Sequence, residues 1–134
     1  MGQRILIAED EPSIVVSLEF LLEGAGYAVT VTRDGGEALR AAERLKPDLM
    51  VLDVMLPAVN GLEVCRRVRL APALQHIPIL LLSARGLESE ITKGLALGAT
   101  AYMTKPFATK ELIQAVGDLL RTGKAATRGG PAKA

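Results

Sequence analysis

Three stretches of consecutive apolar residues punctuate this chain, and each ends on a residue able to do chemistry. Ile5-Leu6-Ile7-Ala8 ends on Glu9-Asp10-Glu11, Leu49-Met50-Val51-Leu52 on Asp53, and Ile79-Leu80-Leu81-Leu82 on Ser83. A fourth and weaker stretch, Ala101-Tyr102-Met103-Thr104, ends on Lys105-Pro106. Continuous rather than alternating runs predict strands buried on both faces, as in a parallel sheet covered by helices. The β-branched run Ala28–Thr32 alternates with polar positions and predicts a further strand near a sheet edge.

Segments of helical period lie between these strands. Pro12 stands where a first helical turn tolerates proline, and Ile14, Leu18, Leu21 and Leu22 follow as the inward face of a helix that Gly24 and Gly26 stop. Asp34 is placed to cap a second helix carrying Ala38, Leu39, Ala42 and Leu45, which Pro47 ends. After a loop at residues 57–61, Leu62, Cys65, Val68 and Arg69 begin a third helix that Pro72 closes. A shorter helix is expected over residues 89–97, with Gly98 as its stop. Thr109 is expected to cap a last helix, with Leu112, Ile113, Val116, Leu119 and Leu120 inward. Strand and helix thus alternate five times. This predicts an α/β doubly wound (βα)5 sandwich: one five-stranded parallel sheet, right-handed crossovers and helices on both faces.

In such a sheet, ligands bind beyond the strand C-termini, at the point where strand order reverses. The polar residues at the run ends would gather there. Glu9, Asp10 and Asp53 in one crevice repel one another unless one takes up a proton or a cation neutralises them. Carboxylates without His or Cys nearby favour Mg2+. Taken alone, Glu9-Asp10-Glu11 also reads as acids complementing a helix N-terminus. Asp53, followed by Val54-Met55-Leu56, is a costly carboxylate in an apolar run, and a nucleophile forming an aspartyl phosphate would account for it. Ser83 and Lys105 would supply donors to a phosphoryl group, and Pro106 suggests a cis Lys-Pro bond.

Composition narrows the field. The 134 residues fit one domain, 49% are hydrophobic, and only 3% are aromatic with no Trp, so the core is aliphatic and base stacking is unsupported. The net charge of +1 is unevenly placed: twelve bases face fifteen acids up to residue 120, giving −3, whereas Arg121, Lys124, Arg128 and Lys133 make the end of the chain +4. An acidic body argues against a nucleic-acid surface on the domain itself. The one cysteine, Cys65, fits a reducing compartment and a core position. No secretory signal is visible, and residues 70–84, the nearest approach to a membrane span, are broken by Pro72, Gln75, His76 and Pro78. A cytoplasmic location is expected. His76, the lone histidine, cannot build a triad or a metal cluster. The pair Gly24 and Gly26 lacks a dinucleotide-binding context. One folded unit over residues 1–121 and a flexible basic tail or linker over 122–134 are expected.

The string Ile5-Leu6-Ile7-Ala8-Glu9-Asp10-Glu11, the segment Asp53-Val54-Met55-Leu56-Pro57 with Asn60-Gly61, the pair Ser83-Ala84, and Tyr102-Met103-Thr104-Lys105-Pro106-Phe107 resemble a response-regulator receiver domain of two-component signalling. The resemblance covers about residues 3–121 and is nearest to the OmpR/PhoB type. It implies the CheY-like, flavodoxin-like fold. It also implies that Asp53 accepts a phosphoryl group from a phosphohistidine on a sensor histidine kinase or histidine phosphotransfer protein. Asp10, Asp53 and the backbone carbonyl of Met55 would bind Mg2+, with Glu9 nearby or acting through water. Ser83 and Lys105 would hold the phosphoryl group. Ser83 and Tyr102 would form the switch that alters the surface of the fourth helix, fifth strand and fifth helix.

The sequence also departs from the OmpR/PhoB pattern. Gly98-Ala99-Thr100-Ala101 lacks the paired acids usual before the tyrosine, and Val116-Gly117-Asp118 lacks the usual arginine, so monomer and phosphorylation-dependent dimer both stay open. No DNA-binding domain follows in this sequence, so output is expected through a partner, unless the chain is a fragment. Three alternatives stand beside this reading: a degenerate receiver acting without phosphate, an aspartyl-phosphate phosphatase, and an FMN-binding flavodoxin. The phosphatase would want a second aspartate where Met55 stands. FMN would want a Ser/Thr-rich loop where Glu9-Asp10-Glu11 stands.

Overall fold

The structure is a computed structural model that describes residues 2–84 and 88–123. The tail expected over residues 122–134 lies almost wholly outside the described residues. The elements run β1 (Arg4–Ala8), α1 (Pro12–Gly24), β2 (Ala28–Thr32), α2 (Gly35–Leu45), β3 (Leu49–Asp53), α3 (Gly61–Leu70), β4 (Ile79–Ala84), α4 (Glu88–Ala96), β5 (Ala101–Lys105) and α5 (Thr109–Thr122). All strand pairs are parallel, in the order β2-β1-β3-β4-β5. This is the doubly wound α/β fold that the alternation predicts.

The pleat of β1 explains the two-sided core. Leu6 and Ala8 join one apolar cluster with Ala38 and Ala42 of α2 and Val64 and Val68 of α3. Ile5 and Ile7 join the other, with Leu18 and Leu22 of α1 and Leu112, Val116 and Leu119 of α5. Every residue of β3 is buried, as a central strand requires. Each large aliphatic side chain buried in this way contributes about 1.5–3 kcal/mol. The core is indeed aliphatic, and Cys65 is fully buried within it.

The helix boundaries follow local chemistry. Pro12 occupies the first turn of α1. Asp34 caps α2 by accepting the Glu37 amide at 2.7 Å, and Asn60 caps α3 by accepting the Glu63 amide at 3.0 Å. Three expectations need correction. The cap residue of α5 is Ala108, in extended conformation with no side-chain bond, and Thr109 is already helical. The buried face of α1 is Val15, Leu18 and Leu22, with Ile14 and Leu21 half-buried at the edges of the same apolar stripe. The fourth helix spans Glu88–Ala96, one residue earlier than expected.

The chain winds from β1 outward to β2 and then returns to place β3 on the other side of β1. The order therefore reverses between β1 and β3, and a crevice opens beyond their C-terminal ends. Two glycines let the loop after β3 close over that end. A Cβ at Gly61 would lie 2.2 Å from the carbonyl oxygen of Asp53, and one at Gly35 would lie 1.7 Å from that of Val59. Both contacts are impossible for any other residue, so β3, its loop and the start of α2 are held by close backbone approach.

Candidate functional site

The C-terminal ends of β1, β3, β4 and β5 deliver Glu9-Asp10, Asp53, Ser83 and Lys105 to this crevice. Glu9, Asp10 and Asp53 each bring a carboxylate oxygen within 4.8 Å of the other two. Glu9 and Asp53 are buried, at 0% and 3% exposure, whereas Asp10 faces solvent. The Lys105 ammonium lies 3.3 Å from both Glu9 Oε1 and Asp53 Oδ1. The Lys105–Pro106 peptide is cis.

Backbone groups hold the acids in place. The Glu11 amide donates to Glu9 Oε2 at 3.1 Å, and the Met55 amide donates to Asp53 Oδ1 at 3.3 Å. The Glu9 amide donates to the Thr32 carbonyl, which extends the β1–β2 pairing by one residue. The Met55 side chain is exposed beside the crevice. Ser83 is buried, and its hydroxyl donates to the Ala84 carbonyl at 3.3 Å. Tyr102 is half-buried against the cluster under α2, α3 and α4. The structure therefore brings Glu9, Asp10, Asp53, Ser83 and Lys105 together, with Met55 at the rim and Tyr102 behind β4.

Electrostatics follow from this burial. Desolvation pushes the Glu9 carboxyl up to about 7; the Glu11 amide and Lys105 pull against that, and Asp53 adds to it. Burial disfavours the Lys105 ammonium, but Asp53 and Glu9 outweigh it and hold the group above its ordinary value. Three carboxylates and one ammonium leave the crevice at −2 when fully ionised. Two carboxylates about 4.8 Å apart repel by about 3.5 kcal/mol at an effective dielectric of 20. Without a cation, burial and the neighbouring Asp53 favour the protonated form of Glu9. A divalent cation balances the charge, and an all-oxygen donor set with an exposed Asp10 suits Mg2+, which keeps part of its water shell.

Two features were not anticipated from the residues. Arg69 on α3 is half-buried and donates to the carbonyls of Gly98 (2.8 Å), Gln75 (3.0 Å) and Ile77 (2.7 Å) and to the Thr100 hydroxyl (3.2 Å). It ties the starts of β4 and β5 together at the end opposite the crevice. Glu90, in the first turn of α4, has a carboxylate oxygen shielded from solvent with no hydrogen-bond partner among the described residues. The partners of Arg69 lie 6 to 31 residues away, and no local pattern announces them.

A doubly wound sheet with a buried aspartate, a lysine and two further acids at its switch point defines a class, and the family comparison agrees. Residues 5–117 match the response regulator receiver domain family, and the chain belongs to it. It is a signalling domain of two-component response regulators rather than a classical enzyme. Among its relatives, the phosphate regulon transcriptional regulatory protein PhoB of Rhizobium meliloti (strain 1021) is 48% identical over 92% of this chain and 55% of that protein. The alkaline phosphatase synthesis transcriptional regulatory protein PhoP of Bacillus subtilis (strain 168) is 47% identical over 94% of this chain and 52% of that protein. The chain thus spans about half the length of the curated relatives it matches. Among solved structures, the receiver domain of the sensor histidine kinase PA1611 from Pseudomonas aeruginosa PAO1 superposes with a TM-score of 0.85 at 33% identity, covering 91% of this chain and all of that one. That structure has a magnesium ion coordinated in its active site cleft. Among the described residues, no helix is long and apolar enough to cross a membrane.

Proposed function

We propose that Asp53 is the phosphoacceptor of a two-component phosphorelay, taking its phosphoryl group from a phosphohistidine on a sensor histidine kinase or histidine phosphotransfer protein. The observation that carries this reading is the Asp53 carboxylate, buried at the end of a central strand with an ammonium 3.3 Å away and two further acids beside it. Burial strips water from the nucleophile, and Lys105 is a point charge suited to a phosphoryl oxygen. Ser83, at the end of β4, is the hydroxyl that would donate to another. Glu9, Asp10, Asp53 and the Met55 carbonyl would hold Mg2+. When bound, the ion supplies positive charge to the acids and to the phosphoryl oxygens.

The same reading makes Ser83 and Tyr102 the switch. Reorienting the Ser83 hydroxyl from the Ala84 carbonyl toward a phosphoryl group shifts the population of Tyr102 between two packings and alters the α4-β5-α5 surface. The receiver unit spans residues 1–121 and works in the cytoplasm. Its downstream partner is a protein, reached without direct nucleic-acid binding by this domain, although MtrA of Mycolicibacterium smegmatis, a 43% identical relative, is a DNA-binding response regulator.

Incubation with acetyl phosphate and Mg2+ followed by intact-mass spectrometry tests the assignment. Wild-type protein gains one phosphoryl group and folded Asp53→Asn gains none. An adduct on the variant removes Asp53 from the role.

A further inference from the structure

A cavity of about 390 Å3 adjoins the acidic crevice, between the loop after β3 and the first turn of α4. Asp10 and Met55 form the side shared with the crevice, Leu56 and Leu62 form an apolar wall, and Asn60 and Glu90 are the polar groups of the remainder. The Asn60 side-chain oxygen, Oδ1, already accepts the Glu63 amide. Glu90 is different: its Oε1 is cut off from water and accepts no hydrogen bond among the described residues. A buried acceptor left without a donor is unfavourable, so it marks a place where a donor is to arrive.

We infer that this cavity receives the imidazole ring of the phosphodonor, with Glu90 accepting a hydrogen bond from the ring nitrogen that does not carry phosphorus. The inference rests on the phosphoacceptor reading above and adds a seat for the leaving group. In the transfer, a bond forms between an Asp53 oxygen and phosphorus while the phosphorus–nitrogen bond breaks, and its electron pair stays on the ring nitrogen. If the second ring nitrogen holds a proton, the ring departs as neutral imidazole. If it does not, the ring must depart as an anion. A carboxylate facing that N–H favours the protonated ring and therefore the easier departure. The flat ring lies against Leu56 and Leu62, which keep water from competing for Glu90. Acetyl phosphate departs as acetate, which has no N–H and draws no such help.

The experiment compares N-phosphoimidazole with acetyl phosphate as donors, following adduct formation by intact mass in the presence of Mg2+, for wild type, Glu90→Gln and Glu90→Asp. The ratio of the phosphoimidazole rate to the acetyl phosphate rate should fall about tenfold in Glu90→Gln, the size expected for one charge-assisted hydrogen bond, and recover in part in Glu90→Asp. A ratio in Glu90→Gln equal to that of wild type overturns the inference. So does an equal loss with both donors, which assigns Glu90 a structural role. Wild-type protein that reacts with neither donor would instead overturn the phosphoacceptor reading.

Discussion

Replacing Lys105 by methionine removes the only ammonium shown against Glu9 and Asp53 among the described residues, and the consequences can be worked from the geometry. At 3.3 Å each ion pair is worth about 5 kcal/mol of gross attraction at an effective dielectric of 20. Part of that is offset by the cost of burying the ammonium, and removal of one member of such a buried group typically costs about 3–5 kcal/mol. The loss must depend on pH, because Glu9 sheds its proton near pH 7 in the wild type. At pH 5 Glu9 is neutral with or without Lys105, and only the Asp53 pair is lost. At pH 8 the wild type holds two carboxylates against the ammonium, and the variant must either leave both unpaired or protonate Glu9. We expect a loss of about 3 kcal/mol at pH 8 and about half that at pH 5, read from urea unfolding without divalent cations. Mg2+ should stabilise the variant more than the wild type, since the crevice then carries −3 instead of −2 before metal binding. A loss that is the same at both pH values and indifferent to Mg2+ would refute the charge argument and leave Lys105 as a packing residue.

The same packing and charge arrangement predict three further outcomes. Because burial raises the Glu9 carboxyl from 4.5 to about 7, the folded state binds the extra proton. The part of the stability that Glu9 contributes in the absence of metal should therefore be fully present below pH 4.5 and fall by up to about 3 kcal/mol as pH rises to 7; urea titrations of wild type against Glu9→Gln across that range should show the fall, and Mg2+ should flatten it. Gly61→Ala forces a methyl group against the Asp53 carbonyl, 2.2 Å away, and should cost about 2–3 kcal/mol and slow adduct formation from acetyl phosphate; a neutral effect on both would contradict the close-approach argument. Arg69→Met removes the donor shared by three carbonyls and one of the two donors to the Thr100 hydroxyl, which keeps the Ile79 amide, and should lower the unfolding free energy by about 2–3 kcal/mol, while the acetyl phosphate reaction at the opposite end of the sheet proceeds.

The fold was legible because each central strand is a continuous aliphatic run, and the intervening segments carry caps that work as written: Pro12 at α1, Asp34 at α2, and Gly98 in the left-handed region after α4. The site was legible because the ends of parallel strands converge by topology, so residues as distant as Glu9 and Lys105 come to 3.3 Å. What stayed hidden depends on three-dimensional surroundings. Glu9, Asp10 and Glu11 are adjacent acids, yet Glu9 is fully buried and the other two are exposed; only the strand-end geometry separates them. Thr109 has cap chemistry, but the backbone enters the helix one residue earlier, at Ala108. Arg69 is an ordinary helix former whose purpose lies in carbonyls of two other loops. Glu90 is one of two acids in the first turn of α4, and its unpaired buried oxygen is visible only once the loop after β3 stands against it.

The most direct test of the central claim is the position and metal dependence of the phosphoryl adduct. After incubation with acetyl phosphate, peptide mapping with and without Mg2+ should place a single phosphoryl group on the peptide carrying Asp53, and only when Mg2+ is present. Phosphorylation at another residue, or none in folded protein supplied with Mg2+, would contradict the account.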